Sequence, residues 1–182
     1  HGLAVSDTAG ELVIAAHTDS SIHVEWSEKS ENFLTGEVSL ERSVQAADVE
    51  FNVTAVALSG NHRWLYASDH TGRVHRFRLP ELEKVQELQV SDAPITAMSM
   101  LLGGISVLAG DAVGAVTQLF RVRDSNNYPH LRVVRFFPPH GSPVVRIIPE
   151  QRRKGFAVLD ESGNLGIYHS TSERQALFRP LA

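Results

Sequence analysis

The sequence contains no cysteine, which excludes disulfide bonds, cysteine-ligated zinc and a thiol nucleophile. It has no apolar run approaching the roughly 20 residues that cross a bilayer as a helix, so the sequence predicts a soluble chain. Basic residues are not in excess, because there are 17 Lys and Arg against 21 Asp and Glu, and the net charge is −4. This balance argues against a nucleic-acid-binding domain, whose surface would be basic. Neither a Gly-x-Ser-x-Gly elbow nor a P-loop is present.

What the sequence does contain is a repeat. Three segments, which begin at Val53, Ile95 and Val144, share one order: a short apolar strand, a loop, a β-rich run that ends in Asp-x-x-Gly, and two further β-rich runs. The aspartates of the motif occupy positions 69, 111 and 160, so the intervals are 42 and 49 residues. A period of roughly 40–50 residues is typical of a four-stranded propeller blade. The sequence therefore predicts an all-β, propeller-like array of about four antiparallel blades, which is a partial or half propeller.

The repeat divides the chain into four units. They are an atypical or truncated blade with a linker over residues 1–50, and blades over residues 51–91, 92–140 and 141–182. The first unit fits the pattern in two registers, one with His17 and Ser20 at the Asp and Gly positions and one with Asp7 and Gly10 there. A strand is expected around Leu34 to Leu40.

The Asp-x-x-Gly motif has a catalytic or metal-binding interpretation and a structural one. A type I turn favours Asp at its first position and Gly at its fourth, where the Asp carboxylate accepts backbone N–H groups and Gly adopts a positive φ. A turn residue recurs in every unit, whereas a catalytic acid has no reason to do so. We therefore predict no catalytic residue and interpret six residues as structural turn residues: Asp69, Gly72, Asp111, Gly114, Asp160 and Gly163.

The nine histidines suggest a zinc site, because imidazole is a common metal ligand. Their spacing lacks a His-x-His or His-x₃₋₅-His pair with a carboxylate partner, apart from the loose pairs His17 and His23 and His70 and His75. The histidines are accordingly expected on blade surfaces and in turns. No metal and no cofactor is predicted.

The first strand of each blade lines the central channel of a propeller. The alternative function is a small-ligand or enzymatic site in that channel. These strands are almost wholly apolar, with Thr54, Thr96 and Arg146 as their strong polar groups. A catalytic channel would need convergent His, Asp or Glu side chains, so a non-enzymatic binding module is favoured. The basic run from Arg73 to Arg78 is expected to form a solvated strand edge, with a contact to a polyanion or phosphate as the alternative.

Two stretches carry a resemblance to a known family. Residues 108–124 (LAGDAVGAVTQLFRVRD) and 152–174 (RRKGFAVLDESGNLGIYHSTSER) resemble the large extracytoplasmic, WD-repeat-like insertion in the long form of the bacterial phosphate ABC transporter permease subunit. The resemblance implies a periplasmic domain of an inner-membrane protein with a protein-interaction or regulatory role. Transporter subunits or periplasmic proteins are then the expected partners.

The repeat count also bears on self-association. Propellers close with roughly four to eight blades, and four blades from one chain would make a very tight ring. An open array leaves terminal blades without a neighbour, which stacked repeats tolerate poorly. A dimer of two half-rings is therefore expected.

Overall fold

The computed structural model describes residues 2–8 and 11–181, and this part of the chain is built from β-strands and connecting turns. Sixteen strands form four antiparallel sheets of four, and the order of strands within each sheet follows the chain. The strands are β1 (Gly2–Thr8), β2 (Glu11–His17), β3 (Ser21–Glu31), β4 (Val38–Asp48), β5 (Val53–Leu58), β6 (Trp64–Asp69), β7 (Arg73–Arg78), β8 (Glu83–Gln89), β9 (Ile95–Met100), β10 (Val107–Asp111), β11 (Val116–Arg123), β12 (Pro129–Phe137), β13 (Val144–Pro149), β14 (Gly155–Asp160), β15 (Asn164–His169) and β16 (Arg174–Pro180).

Each sheet is one blade, and consecutive blades pack face to face. Their first strands, β1, β5, β9 and β13, lie next to one another in chain order. Three apolar clusters fill the spaces between neighbouring blades. Val13 and Leu65 belong to the cluster of blades 1 and 2, Val74 and Leu119 to that of blades 2 and 3, and Phe156 to that of blades 3 and 4. Within residues 2–8 and 11–181, none of these clusters joins blade 4 to blade 1, so the array is open.

The all-β, four-stranded prediction is confirmed, because every sheet has four antiparallel strands. The described residues include no helix that is long and apolar enough to span a membrane.

An atypical or truncated blade is expected over residues 1–50. This part of the chain contains a four-stranded sheet, in which β3 and β4 have 11 residues each. The strand expected from Leu34 to Leu40 is wrong in its bounds. A turn occupies residues 32–37, where the side chain of Asn32 accepts the N–H of Leu34, and the strand begins at Val38. The hydrogen bond that the Asn32 side chain accepts therefore favours a turn in this segment, although Phe33 and Leu34 are apolar.

The two registers proposed for the first unit can be compared with its strands. β2 ends at His17 and β3 begins at Ser21, so the turn between them lies where Asp-x-x-Gly lies in the other blades. In the alternative register, Asp7 lies in β1, whereas Gly10 lies outside the described residues. The His17 register is thus the one that aligns the second hairpin of blade 1 with its counterparts.

The solvated edge expected from Arg73 to Arg78 is wrong. These residues form β7, which lies between β6 and β8 inside its sheet, and both His75 and Arg76 are buried. The alternation of polar and apolar residues located the strand correctly but not its neighbours, because sequence periodicity carries no information on what packs against each face.

The three turn glycines differ in what surrounds them. Gly72, Gly114 and Gly163 have φ values of 83°, 88° and 79°, in the left-handed region that disfavours other residues. A Cβ at Gly72 would lie 2.0 Å from the carbonyl oxygen of Ser91, and one at Gly114 would lie 2.6 Å from the backbone nitrogen of Gly141. A Cβ at Gly163 would meet no atom within 4 Å.

We therefore expect the three valine variants to differ. Gly163→Val should lose about 1–3 kcal/mol through backbone strain alone, and Gly72→Val and Gly114→Val should lose more, because the linker to the next blade must also move. Thermal unfolding followed by circular dichroism measures this order. Three variants that melt with the parent would contradict the assignment of these residues as turn residues.

Candidate functional site

The three aspartates of the repeat end the second strand of blades 2, 3 and 4, and one carboxylate oxygen of each is used by its own turn. Asp69 Oδ1 accepts the N–H groups of Thr71 and Arg73 at 2.8 and 3.0 Å. Asp111 Oδ1 accepts those of Val113 and Ala115 at 3.0 and 2.8 Å. Asp160 Oδ1 accepts the N–H of Asn164 at 2.8 Å. This geometry holds the hairpin closed.

The second carboxylate oxygen binds a side chain that belongs to, or packs against, the linker that precedes the blade. The hydroxyl of Ser91 donates to Asp111 Oδ2 at 2.5 Å, and His140 Nδ1 lies 3.0 Å from Asp160 Oδ2. In blade 2 the partner is His75 Nε2 of the next strand, 2.8 Å from Asp69 Oδ2. The ring of Phe51, in the preceding linker, stacks on the His75 ring with centroids 3.7 Å apart.

The glycine that completes each turn contacts the opposite linker, the one that follows the blade. The carbonyl of Gly72 accepts the N–H groups of Val90 and Ser91 at 3.0 and 3.1 Å, and the carbonyl of Gly114 accepts that of His140 at 2.9 Å. The turn of blade 3 is thus hydrogen-bonded to the chain on both sides of its blade, and the turn of blade 2 to the chain that follows its blade. The six residues form inter-blade junctions, and their carboxylates are enclosed rather than presented to a ligand.

The expectation of surface and turn positions is wrong for His75, which is buried in β7. His17, His62 and His140 are buried although they lie in or next to turns and linkers. His62 shows why. Its Nδ1 lies 2.9 Å from a carboxylate oxygen of Glu11 and its Nε2 lies 2.9 Å from the hydroxyl of Ser6, so the ring joins blade 2 to blade 1. Burial of the imidazole ring is compensated by two polar partners.

One signal in the sequence could have found two of these partners. Ser91 precedes Asp111 by 20 residues, and His140 precedes Asp160 by the same interval. A hydrogen-bonding side chain at a fixed offset from the repeated aspartate is therefore part of the repeat. The partner in blade 2 breaks this rule, because His75 follows Asp69.

Two of the junction carboxylates are held in the charged form. Burial acts to raise the pKa of Asp69, but hydrogen bonds from His75, Arg73 and Thr71 outweigh it, and the pKa lies below the usual 3.8. Burial likewise acts to raise the pKa of Asp160, and bonds from Asn164 and His140 lower it below that value. Because the folded pKa is depressed, their contribution to stability is present above pH 3.8 and is lost as pH falls through the lower folded value.

The axial space between the first strands forms a cavity of about 620 Å³. Its walls come from all four blades and include residues 3–7, 56–58, 98–104 and Pro149. Two of the three polar groups expected there are committed to the framework, and the third, Arg146, is exposed. Thr54 Oγ1 lies 2.9 Å from Ser68 Oγ, and Thr96 Oγ1 donates to the carbonyl of Val144 at 2.6 Å, which joins blade 3 to blade 4. The cavity wall also includes the polar residues Ser6, Asp7, Ser99 and Gln151.

The described ranges contain no group of three or more His, Asp or Glu side chains placed to hold a metal ion. In blade 4, the pair Asp160 and His140 is completed by the amide of Asn164 instead of a third metal-ligating side chain.

Comparison with solved structures places the fold. The chain superposes on a chain of a mitotic checkpoint complex with a TM-score of 0.70 and 16% identity, over 97% of this chain and 49% of that one. It superposes on U3-55K with a TM-score of 0.66 and 13% identity, over 99% of this chain and 53% of that one. It superposes on hydrazine synthase of Kuenenia stuttgartiensis with a TM-score of 0.66 and 13% identity, over 97% of this chain and 48% of that one. No protein-family model and no curated protein sequence matches the chain.

The chain therefore has a WD40-like β-propeller fold. It spans about half the length of the structures that it resembles. The WD-repeat-like part of the sequence resemblance is confirmed, whereas nothing in these comparisons supports an origin in a phosphate transporter permease.

The junction geometry predicts that substitution of Asp111 lowers the stability of the fold. Asp111→Ala removes the acceptor for two backbone N–H groups and for Ser91, and should cost about 1–3 kcal/mol of unfolding free energy. Asp111→Asn keeps an oxygen for the turn and should cost less. Thermal melts of the two variants measure the difference. An alanine variant as stable as the asparagine variant would contradict the junction role.

Proposed function

We propose that this chain is a non-catalytic protein-interaction or regulatory module, carried outside the membrane by a phosphate ABC transporter permease of the long form. The resemblance of residues 108–124 and 152–174 to that family supports the transporter context. The framework use of the junction carboxylates and of Thr54 and Thr96 supports a role in binding rather than in catalysis.

One observation carries the interaction role: each end of the array presents an open sheet face. Residues paired across neighbouring strands share a face. On blade 4, Ile148, Ala157, Ile167 and Leu177 form one row across the sheet, and the side chain of Ile148 is 53% exposed. Apolar rows of this kind lie between blades elsewhere in the array.

Blade 1 presents the other open face. Val5, Ile14, Glu25 and Val44 form one row across its four strands, and Leu3 in the next row is 65% exposed. Contiguous exposed apolar surface marks an interaction site in a folded protein. The two faces are therefore binding surfaces, and both need a blade-like occupant.

A second copy of the chain fits both faces at once. The structures that it resembles contain about twice as much chain, which is the amount that two copies supply. The charges are also complementary. Arg146 and Arg179 flank the apolar row of blade 4, whereas Asp7 and Glu25 lie on the face of blade 1. Glu25 is already paired with Arg42, but only at 3.9 Å and at an exposed position. Two head-to-tail contacts related by a two-fold axis would close the ring.

Size-exclusion chromatography with light scattering at micromolar concentration tests this assembly. The parent should elute at about twice the mass of the 20.0 kDa chain, and Ile148→Asp should be a monomer because a charge in a closed interface is costly. Val113→Asp is the matched control, because Val113 is exposed in the β10–β11 turn and away from both end faces. A monomeric parent would contradict self-association and leave further blades of a longer chain as the occupant.

The transporter context has a separate test. If this domain is an insertion in a permease, the sequence that flanks it in the encoding gene should contain apolar segments of about 20 residues on both sides. Sequencing of the flanking DNA measures this directly. Flanks without such segments would contradict the permease assignment and leave the interaction role intact.

A further inference from the structure

Two arginines from neighbouring blades share one indole ring. The guanidinium carbon of Arg76, on β7, lies 4.5 Å from the ring centre of Trp64. That of Arg121, on β11, lies 5.8 Å from the same ring. Both distances are within the range of a cation–π interaction. Two positive groups are thus held close together at the junction of blades 2 and 3.

This pair of charges is not neutralised by the rest of the described chain. Ion pairs within residues 2–8 and 11–181 involve other basic groups, and none includes Arg76 or Arg121. Arg76 is only 5% exposed, and its Nε and Nη1 atoms are buried without a hydrogen-bond partner. A buried guanidinium with orphaned donors is destabilising unless something accepts them.

The electrostatics of the neighbouring groups agree with an excess of positive charge. Burial lowers the pKa of Arg76; the nearby Tyr66 opposes this shift, and Arg121 and Arg78 add to it. Burial raises the pKa of Tyr66, so its phenol is neutral at physiological pH and keeps its O–H as a donor.

A cavity of about 310 Å³ adjoins this pair. It is lined by Trp64, Tyr66 and Arg121, with Ser59 and Asn61 of the β5–β6 loop at its edge. Its base is fixed between the two blades, because the N–H of Gly60 donates to the carbonyl of Gly104 at 3.0 Å. The size is at the lower end of the range for small-molecule pockets. A pre-formed pocket with the unpaired cation Arg121 at its wall and the buried Arg76 nearby is suited to a small anionic group.

We propose that this inter-blade cavity binds an oxyanion, a carboxylate or phosphate group, at Arg121 and beside Trp64 and Tyr66. Guanidinium groups recognise such oxygens through two parallel N–H bonds. The buried charge of Arg76, which does not line the cavity, adds to the positive potential there. The group comes either from a free small anion or from an acidic side chain of a protein partner. The site does not depend on the end faces, so it can be tested whether or not the chain self-associates.

Tryptophan fluorescence reports on the site directly, because the chain has only two tryptophans. In a Trp26→Phe background, Trp64 is the sole emitter. Inorganic phosphate, succinate and a short glutamate-rich peptide are titrated separately at constant ionic strength, since screening alone changes with salt. We expect a saturable change in Trp64 emission. Tighter binding of phosphate or succinate indicates a free anion, and tighter binding of the peptide indicates an acidic partner.

Arginine variants decide whether the response belongs to this site. Arg121→Gln, at an exposed position, should fold normally and weaken binding of the anion by about tenfold or more. Arg153→Gln is the matched control, because Arg153 is exposed in the loop between β13 and β14, away from the cavity. No saturable response to any of the three probes, or equal affinity in Arg121→Gln and Arg153→Gln, would overturn the proposal.

Discussion

The buried carboxylate at the end of the second strand of a blade is the interaction on which the rest of this array depends. One oxygen of Asp111 closes the hairpin of blade 3, and the other accepts the hydroxyl of Ser91 from the linker before that blade. The turn glycine then accepts an N–H from the linker after it. A single turn therefore fixes the hairpin, the approach of the chain and its departure. Because the same junction recurs in blades 2 and 4 with different partners, the blades stack in one orientation.

The sequence predicted the parts of the fold that local chemistry determines. The Asp-x-x-Gly turns and the intervals between them sufficed for the four-stranded units, because turn geometry depends on a few adjacent residues. The strand from Arg73 to Arg78 was located correctly but assigned to a solvated edge, since its burial depends on blade 3 packing against it. The burial of His62 and Arg76 was missed for the same reason. His62 contacts Glu11 and Arg76 contacts Trp64, and no rule of sequence spacing predicts either pair.

Most of the polar side chains that could take part in catalysis are hydrogen-bonded within the fold itself. This supports the proposal of a binding function. The junction carboxylates bind their own turns, and Thr96 bridges two blades. Two kinds of surface are left over: the apolar faces of the end blades, and the cationic cavity beside Trp64 in a chain whose net charge is −4. We propose another blade as the occupant of the first surface and an anion as the ligand of the second, and neither binding step needs a catalytic group.

The central claim is that four blades form half of a ring whose end faces are closed by a second copy. Electron microscopy of the purified domain images this most directly. The account predicts class averages of a closed ring with twice the four blades of one chain and a two-fold axis. Particles that are open four-bladed arcs with bare end faces would contradict it.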